Sequence, residues 1–348
     1  MAIAINRTIA ALPHLASLLA GHPRAVAGWG RKPSGRHARL LARALGRPFV
    51  LLEDGFLRSV ERQAPPLSLL VDDLGVYYDA AAPSRMEATI AAPLSPAQTL
   101  RARALVATWQ ASGLSKYNHA ADHAGPLPAR YVLVADQCHG DLSVTYGQAG
   151  AASFATMLRA ALADYPDHQL LVKTHPDVLT HRRRGWFDPA ALAHPRIRLI
   201  GDGSHPVRLI QHASAVYTVT SLIGFEALLH GRPLRCFGLP FYAGWGLSED
   251  WLPAPQRRGS APLEALVHAA LVALARYVDP ASGQLWSAEA ALAHATRART
   301  ALLHAQGLTG QASTAPAPPT LPAPCTAPAP AVAPPPILPP LTAQRAAA

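Results

Sequence analysis

Four short apolar runs in this chain each end in side chains that can do chemistry. Tyr131-Val-Leu-Val-Ala135 leads into Asp136-Gln137-Cys138-His139-Gly140-Asp141, and Leu170-Leu-Val172 into Lys173-Thr174-His175-Pro176. Ala215-Val-Tyr-Thr-Val219 leads into the hydroxyl pair Thr220-Ser221, and Phe49-Val-Leu-Leu52 delivers Glu53-Asp54 to a loop. Carboxylates can attack or accept a proton, while an imidazole, an ammonium and hydroxyls can oppose a developing anion. Histidine occurs 16 times, so His175 draws its interest from its place before a proline at a strand end, with Lys173 two residues earlier. Two adjacent carboxylates after a buried strand are costly if desolvated and unpaired. Glu53 and Asp54 are therefore solvated, paired with the nearby Arg58, or used in chemistry.

Apolar runs of this length, bounded by polar and Gly/Pro residues and separated by helical patterns, read as buried parallel strands. Ligands of such sheets bind outside the carboxyl ends of the strands, so the polar clusters are expected to converge there. From residue 131 onward strands near 131–135, 168–173, 196–200, 215–219 and 234–237 alternate with helices near 151–163, 206–213 and 222–230, which predicts a Rossmann-like parallel sheet. A helix from Ser260 and a last one near 287–303 follow. The first part opens with Ile9, Leu12, Leu15, Leu18 and Leu19 at the spacing of one amphipathic helix. A strand Ala25-Val-Ala27 enters Gly28-Trp-Gly-Arg31-Lys32-Pro33-Ser34, where Arg31 and Lys32 are either substrate contacts or solvated charges of a plain turn before a helix to Leu45. Asp72-Asp-Leu-Gly75 between two apolar runs reads as a hairpin turn rather than a metal-binding acidic motif. Residues 84–113 have helical spacing, and Gly125-Pro-Leu-Pro128 is a connection.

The resulting division is 1–125, 126–309, and a tail from 310. Residues 311–348 hold 12 of the 34 prolines and a single charged residue, Arg345, a composition that neither buries a core nor pairs its backbone and so predicts disorder. The 348 residues are 50% hydrophobic and 15% charged, a globular balance. No run approaches the ~20 apolar residues of a membrane span. The first residues lack the charge order of a secretory signal, so the expected compartment is the cytoplasm. Cys138, Cys236 and Cys325, an odd number without paired spacing, argue against a disulfide framework or a zinc site. The net charge of +10 is scattered, without a recognised nucleic-acid module, and an anionic sugar nucleotide or anionic lipid surface accounts for it equally well.

Trp29-Gly-Arg-Lys-Pro-Ser34, Leu52-Glu-Asp-Gly-Phe-Leu-Arg-Ser59, Tyr77-Tyr-Asp79, Ser115-Lys-Tyr-Asn118, Gly140-Asp-Leu-Ser143, Lys173-Thr-His-Pro-Asp177, Gly224-Phe-Glu-Ala227 and Tyr242-Ala-Gly-Trp-Gly246 occur in one order on one chain. Together they resemble the capsule polysaccharide biosynthesis family, the β-Kdo transferases, over about residues 28–250. The resemblance implies a GT-B-like α/β fold, two Rossmann-like domains facing a cleft. It also implies a retaining transfer of Kdo from CMP-β-Kdo onto a lipid-linked Kdo acceptor at the inner face of the inner membrane. Other capsule assembly proteins are expected as partners, and nucleic acid is not. The motif match makes Asp141 the nucleophile of a covalent intermediate, with Asp136 its competitor in the same loop; the second step needs a base for the acceptor hydroxyl, and Glu53 of the opposite domain is the candidate. His175-Pro176 and Thr220-Ser221 resemble the pairs with which several bacterial sialyltransferase families hold the phosphate of CMP-sialic acid. Lys173 joins them, and Arg31 and Arg58 are candidates for the Kdo carboxylates. Glu226 is either a ribose acceptor or a first-turn carboxylate favouring the helix dipole.

A donor with one phosphate needs anion stabilisation rather than a bridging metal, so no metal or other cofactor is expected. Family members often carry two such modules in tandem, whereas this chain has one. Two rival readings keep the same motifs: a sialyltransferase-like enzyme using another CMP-sugar, and a non-catalytic assembly scaffold.

Overall fold

The computed structural model describes residues 2–61, 64–180 and 182–308. The tail expected beyond 310 lies outside the described residues. Two sheets, both within one compact unit, organise the chain.

The first sheet takes β1 (Ile3–Ala4), β2 (Val26–Trp29), β3 (Phe49–Asp54) and β4 (Ser68–Asp72) in sequence order, parallel from β1 to β3 and antiparallel between β3 and β4. The second is wholly parallel: β5 (Tyr131–Ala135) is central, with β6 (Gln169–Lys173) and β7 (Ile197–Ile200) on one side and β8 (Ala215–Thr218), β9 (Leu234–Cys236) and β10 (Glu249–Asp250) on the other. All five residues of β5 are buried, as expected of a strand covered on both faces. The helix Ala151–Asp164 buries Phe154, Met157, Leu158 and Ala161, the i, i+3, i+4, i+7 face its spacing predicts.

The contiguous division at 126–309 gives way at its end. β11 (Ala275–Val278) pairs antiparallel with β4, and β12 (Leu285–Trp286) with β11, so the last sixth of the described chain returns to the first sheet. Apolar residues of the segment, among them Leu266, Leu271 and Leu292, are buried in a core that also contains Leu105 and Trp109 of the helix Pro96–Ser112. Sequence spacing marked the helices that flank β11 and β12 but not the sheet edge that the two strands extend.

Three local expectations also change. The opening amphipathic segment is β1 followed by two short helices, Arg7–Ala10 and Leu15–Leu18, because Pro13 between them removes a backbone donor. Residues 84–113 form two helices, Arg85–Ala91 and Pro96–Ser112, parted at Pro93; the second starts with a Ser95–Gln98 capping box and Pro96 in its first turn. The expected hairpin at Asp72–Gly75 is absent. Instead the Asp72 carboxylate accepts from the N–H groups of Leu74 (2.8 Å), Gly75 (2.7 Å) and Arg85 (2.9 Å), which turns the chain into a helix start. Asp73 pairs with the Arg85 guanidinium at 2.7 Å.

The two sheets are joined by one continuous core. Phe56, just past β3, stacks on Phe241 with ring centroids 5.0 Å apart and lies 5.6 Å from Phe225, so aromatic rings of both halves interlock. Beside them Glu87, 3% exposed, accepts from Arg257 and Arg258 at 2.7 Å each. Arg258 also donates to the carbonyls of Pro240 and Ala243, on the loop carrying Tyr242-Ala-Gly-Trp-Gly246. Removing one member of such a buried pair strands the other charge. Glu87→Ala is therefore expected to lower unfolding free energy by ~3–5 kcal/mol in urea titration. A loss under ~1 kcal/mol would mean that water reaches Arg258.

Candidate active site

β8, β5 and β6 are adjacent and parallel, so the segments after them, carrying Thr220-Ser221, Asp136 to Asp141 and His175, leave the same edge of the sheet. Opposite this edge stands the end of β3. Between them lies a cavity of about 430 Å³ lined by Trp29, Lys32, Glu53, Asp54, Tyr77, Tyr78 and Lys116 from the first half. The second half contributes Gln137, Gly140, Asp141, Leu142, Ser143, Thr220, Ser221, Leu222, Pro240, Phe241 and Tyr242. A roomier surface depression borders Ala80, Gln148, Pro255 and Arg257, but its one charged side chain, Arg257, is committed to Glu87.

On the second-half wall, Asp141 caps the short helix Leu142–Tyr146, one carboxylate oxygen accepting from the Ser143 N–H at 2.9 Å. The other accepts from the Gln137 side-chain amide at 3.2 Å. That amide also lies 3.3 Å from Ser143 Oγ and 3.1 Å from Thr220 Oγ1, while the Gln137 carbonyl oxygen accepts from the Thr220 N–H at 3.0 Å. One buried carboxamide thus ties the loop after β5 to the loop after β8 and holds the Asp141 carboxylate at the cavity wall. Asp136 is placed differently. It accepts from Thr174 Oγ1 at 2.8 Å, from the Trp186 N–H at 3.2 Å and from the Gln137 N–H at 2.9 Å, and it is not among the lining residues. Burial holds its pKa above the usual carboxylate value.

Ser221 caps the helix Leu222–Leu229, accepting from the Ile223 N–H at 3.3 Å, and its own carbonyl accepts from the Tyr242 hydroxyl. A Cβ on Gly224 would sit 2.4 Å from that hydroxyl oxygen, which is why the helix carries glycine there.

On the first-half wall, Glu53 Oε1 accepts from the Tyr78 hydroxyl at 2.8 Å, and the same oxygen of Tyr78 accepts from the Arg31 N–H at 3.1 Å. Gly30, at φ +33°, leaves the room: a Cβ there would lie 1.8 Å from Glu53 Oε1. Desolvation pushes the Glu53 pKa up to about 7, against the Tyr78 hydrogen bond and the charges of Lys116 and Lys32, which pull it down.

The other sequence candidates divide. Arg31 is paired with Asp79, and Arg58 with Asp54 at 3.1 Å, so neither guanidinium is free to meet a substrate carboxylate without leaving its partner. The cations on the cavity wall are Lys32 and Lys116 instead. Glu226 is neither a first-turn carboxylate nor a lining residue. It is 2% exposed in the second turn of its helix, accepting from Ser115 Oγ at 2.7 Å and the Lys116 N–H at 3.0 Å, so it braces the backbone that carries Lys116. Lys173 turns its ammonium to the Ser204 carbonyl at 2.8 Å. His175 stands half exposed beyond β6, its Nδ1 accepting from the Asp177 N–H at 3.1 Å, outside the lining set; Pro176 opens the single turn Pro176–Leu179. Gln137, Tyr78 and Lys116 were not singled out from sequence as site residues. The last two sit within recognised motifs, whereas a lone glutamine carries no spacing signal.

A carboxyl whose pKa is raised by burial folds best protonated, so the contribution of Glu53 to stability is complete below its ordinary value of 4.5 and is lost as pH rises through about 7. Glu53→Gln keeps the acceptor for Tyr78 and cannot ionise. It is expected to raise Tm by about 2–5 °C at pH 8 and to change it little at pH 4. Equal shifts at both pH values, by differential scanning fluorimetry, would show the carboxylate to be solvated.

The profile of the family described as "Capsule polysaccharide biosynthesis protein" matches residues 24–125 and 95–278. The capsule polysaccharide modification protein LipA of Neisseria meningitidis serogroup B is 40% identical over 307 residues, 81% of this chain and 44% of LipA. The lipopolysaccharide-processing protein LpsZ of Rhizobium meliloti is 37% identical over 268 residues, 73% of this chain and 60% of LpsZ. The chain thus spans less than half the length of LipA. Among solved structures, the KpsC β-Kdo 2,4 transferase of Thermosulfurimonas dismutans aligns with a TM-score of 0.77 at 36% identity, covering 85% of this chain and 98% of that one. The KpsC β-Kdo 2,7 transferase of the same organism aligns at 0.60 and 27%, covering 81% and 88%. With the same two-sheet architecture and a profile match across both halves of the cavity, the chain belongs to the capsule polysaccharide biosynthesis protein family.

Proposed function

We propose that this protein is a retaining glycosyltransferase that moves Kdo from CMP-β-Kdo to a Kdo-terminated glycolipid during capsule biosynthesis. The observation that carries the reading is the pair of carboxylates, Asp141 and Glu53, presented by opposite halves to one cavity, in a chain that aligns over 98% of a β-Kdo 2,4 transferase.

Retention is obtained from two inversions. In the first, an Asp141 oxygen attacks the anomeric carbon, the carbon–oxygen bond to phosphate breaks, and the electron pair departs with CMP. The Gln137 amide and the Ser143 N–H fix the carboxylate for that attack. Thr220 and Ser221, at the start of the helix Leu222–Leu229, take the phosphate as its charge grows, and His175 joins them only if its half-exposed ring turns in from beyond β6. A phosphate leaves readily, and one phosphate has no neighbouring phosphate for a metal to bridge, so the reading needs no metal. In the second inversion the acceptor hydroxyl attacks the same carbon from the opposite face, its proton passing to Glu53 and the Asp141 carboxylate departing. A carboxyl brought to about 7 suits this base, because it is substantially ionised at neutral pH yet basic enough to take the proton. Lys32 and Lys116 supply positive charge for sugar carboxylates in the cavity.

Asp141→Ala is expected to lose at least ~10³-fold in transfer from CMP-Kdo generated in situ, with CMP affinity retained. Normal turnover of this variant would remove Asp141 as nucleophile, and transfer from CMP-sialic acid in place of CMP-Kdo would change the donor. Glu53→Gln should still form a Kdo adduct on Asp141, visible by intact mass spectrometry, but resolve it slowly. The wild-type rate should rise with pH and level off above about 7 as Glu53 ionises. An adduct that fails to form in Glu53→Gln would place the defect in the first step and give the base role to another residue.

A further inference from the structure

The helix Pro33–Ala44 begins where the cavity wall ends, since Trp29 and Lys32 line the cavity just before it. Its inner face is made of small residues, with Gly35, Ala38 and Ala42 buried against the first sheet. Its outer face carries Arg36, His37, Leu40 and Arg43, which helical spacing brings into one exposed stripe. Leu40 is 66% exposed and Leu45, at the C-cap, 50%. Between Arg31 and Arg47 the chain has Arg31, Lys32, Arg36, Arg39, Arg43 and Arg47 and no acidic residue. Arg31 turns to Asp79, Arg39 to the Leu74 carbonyl and the Phe49 ring, and Arg47 to the Arg24 carbonyl. Arg36 and Arg43 meet no carboxylate among the described residues, and the exposed Arg24 adds charge near the helix end.

Guanidiniums flanking a protruding leucine match one surface chemically: lipid phosphates accept from the guanidiniums in pairs, and Leu40 enters the boundary between headgroups and acyl chains. A nucleic-acid backbone would satisfy the arginines and leave Leu40 in water. We propose that the outer face of the Pro33–Ala44 helix docks on an anionic bilayer and brings the adjoining cavity to the surface where a lipid-linked acceptor lies. The use of such an acceptor rests on the function proposed above; the docking itself does not.

The full chain should cosediment with phosphatidylcholine vesicles containing about one third phosphatidylglycerol, not with phosphatidylcholine alone, and binding should weaken steeply with salt. Arg36→Glu/Arg43→Glu should lose at least about tenfold in apparent affinity, and Leu40→Ser should lose binding without altering the salt slope. A control reversal on other helices, Arg159→Glu/Arg297→Glu, should bind as wild type. Tm and transfer to a short soluble acceptor should be unchanged in Arg36→Glu/Arg43→Glu, so failure of docking and failure of the proposed activity read out separately. Wild-type vesicle binding by that double variant, or an equal loss in the control, overturns the proposal. Tighter binding to a single-stranded oligonucleotide than to the vesicles, lost in the same variant, would assign the face to nucleic acid.

Discussion

Glu87 is a carboxylate with almost no contact with water, held between two guanidiniums from the far end of the chain. Its value lies in where it sits. A buried pair adds little net stability over apolar packing, but it penalises any arrangement that separates its members. Here the members belong to the helix Arg85–Ala91 of the first half and to the loop following the second sheet, and the same Arg258 braces the carbonyls around Tyr242. Tyr242 in turn reaches the cap of the helix that presents Thr220 and Ser221. The ion pair, the Phe56–Phe241 stack and the cavity wall are therefore successive layers of one junction, and the separation of Glu53 from Asp141 is set by it. A core shared between the halves also limits rocking of one sheet against the other.

The same economy of partners explains why two aspartates of one loop, Asp136 and Asp141, differ in what they can do. Asp136 is held by three donors and is not among the lining residues, and it joins the loop after β5 to those after β6 and around Trp186. Asp141 has one backbone donor and one amide donor, and the rest of its surface faces the cavity. A carboxylate held by three donors and outside the lining is a structural connector. One with lone pairs left toward open space can attack a carbon. Gln137 makes the distinction, because its amide can donate to Asp141 and accept from Thr220 at once, a combination no charged side chain supplies.

The centre of the parallel sheet was legible because β5, β6 and β8 are built on apolar runs, and burial on both faces leaves that mark in any sequence, whereas the edge strand β10 is Glu249–Asp250 and carries no such signal. Convergence of the Asp141 and Thr220-Ser221 clusters followed from topology alone, since β5 and β8 are neighbours. Less legible was whatever depends on partners distant in sequence. Nothing local to Arg31 tells that Asp79 will occupy it, and nothing in Glu226 points to the Ser115 hydroxyl, 111 residues away, whereas the pairing of Arg58 with Asp54, one helical turn earlier in sequence, is among the readings the local sequence offers. β11 and β12 were missed for a related reason: a short edge pair has too few residues to show a period, and the strand it completes lies two hundred residues earlier. Asp72 misled because an acidic turn and a carboxylate capping a helix start are built from the same residues.

Electrostatics then couple the two walls. Desolvation raises the Glu53 pKa while Lys32 and Lys116 oppose the rise, so the value near 7 is a balance rather than a property of the carboxyl. An anionic sugar set against those lysines would offset their charge and exclude further water. Both changes favour the protonated form, so Glu53 becomes a stronger base when the cavity is filled than when it is open to solvent. Glu226 contributes to this balance from a distance, because it anchors the backbone N–H of Lys116 and thereby limits how far that ammonium can swing. Glu226, weighed from sequence as a ribose acceptor or a first-turn carboxylate, is instead a buried brace for the backbone that carries Lys116.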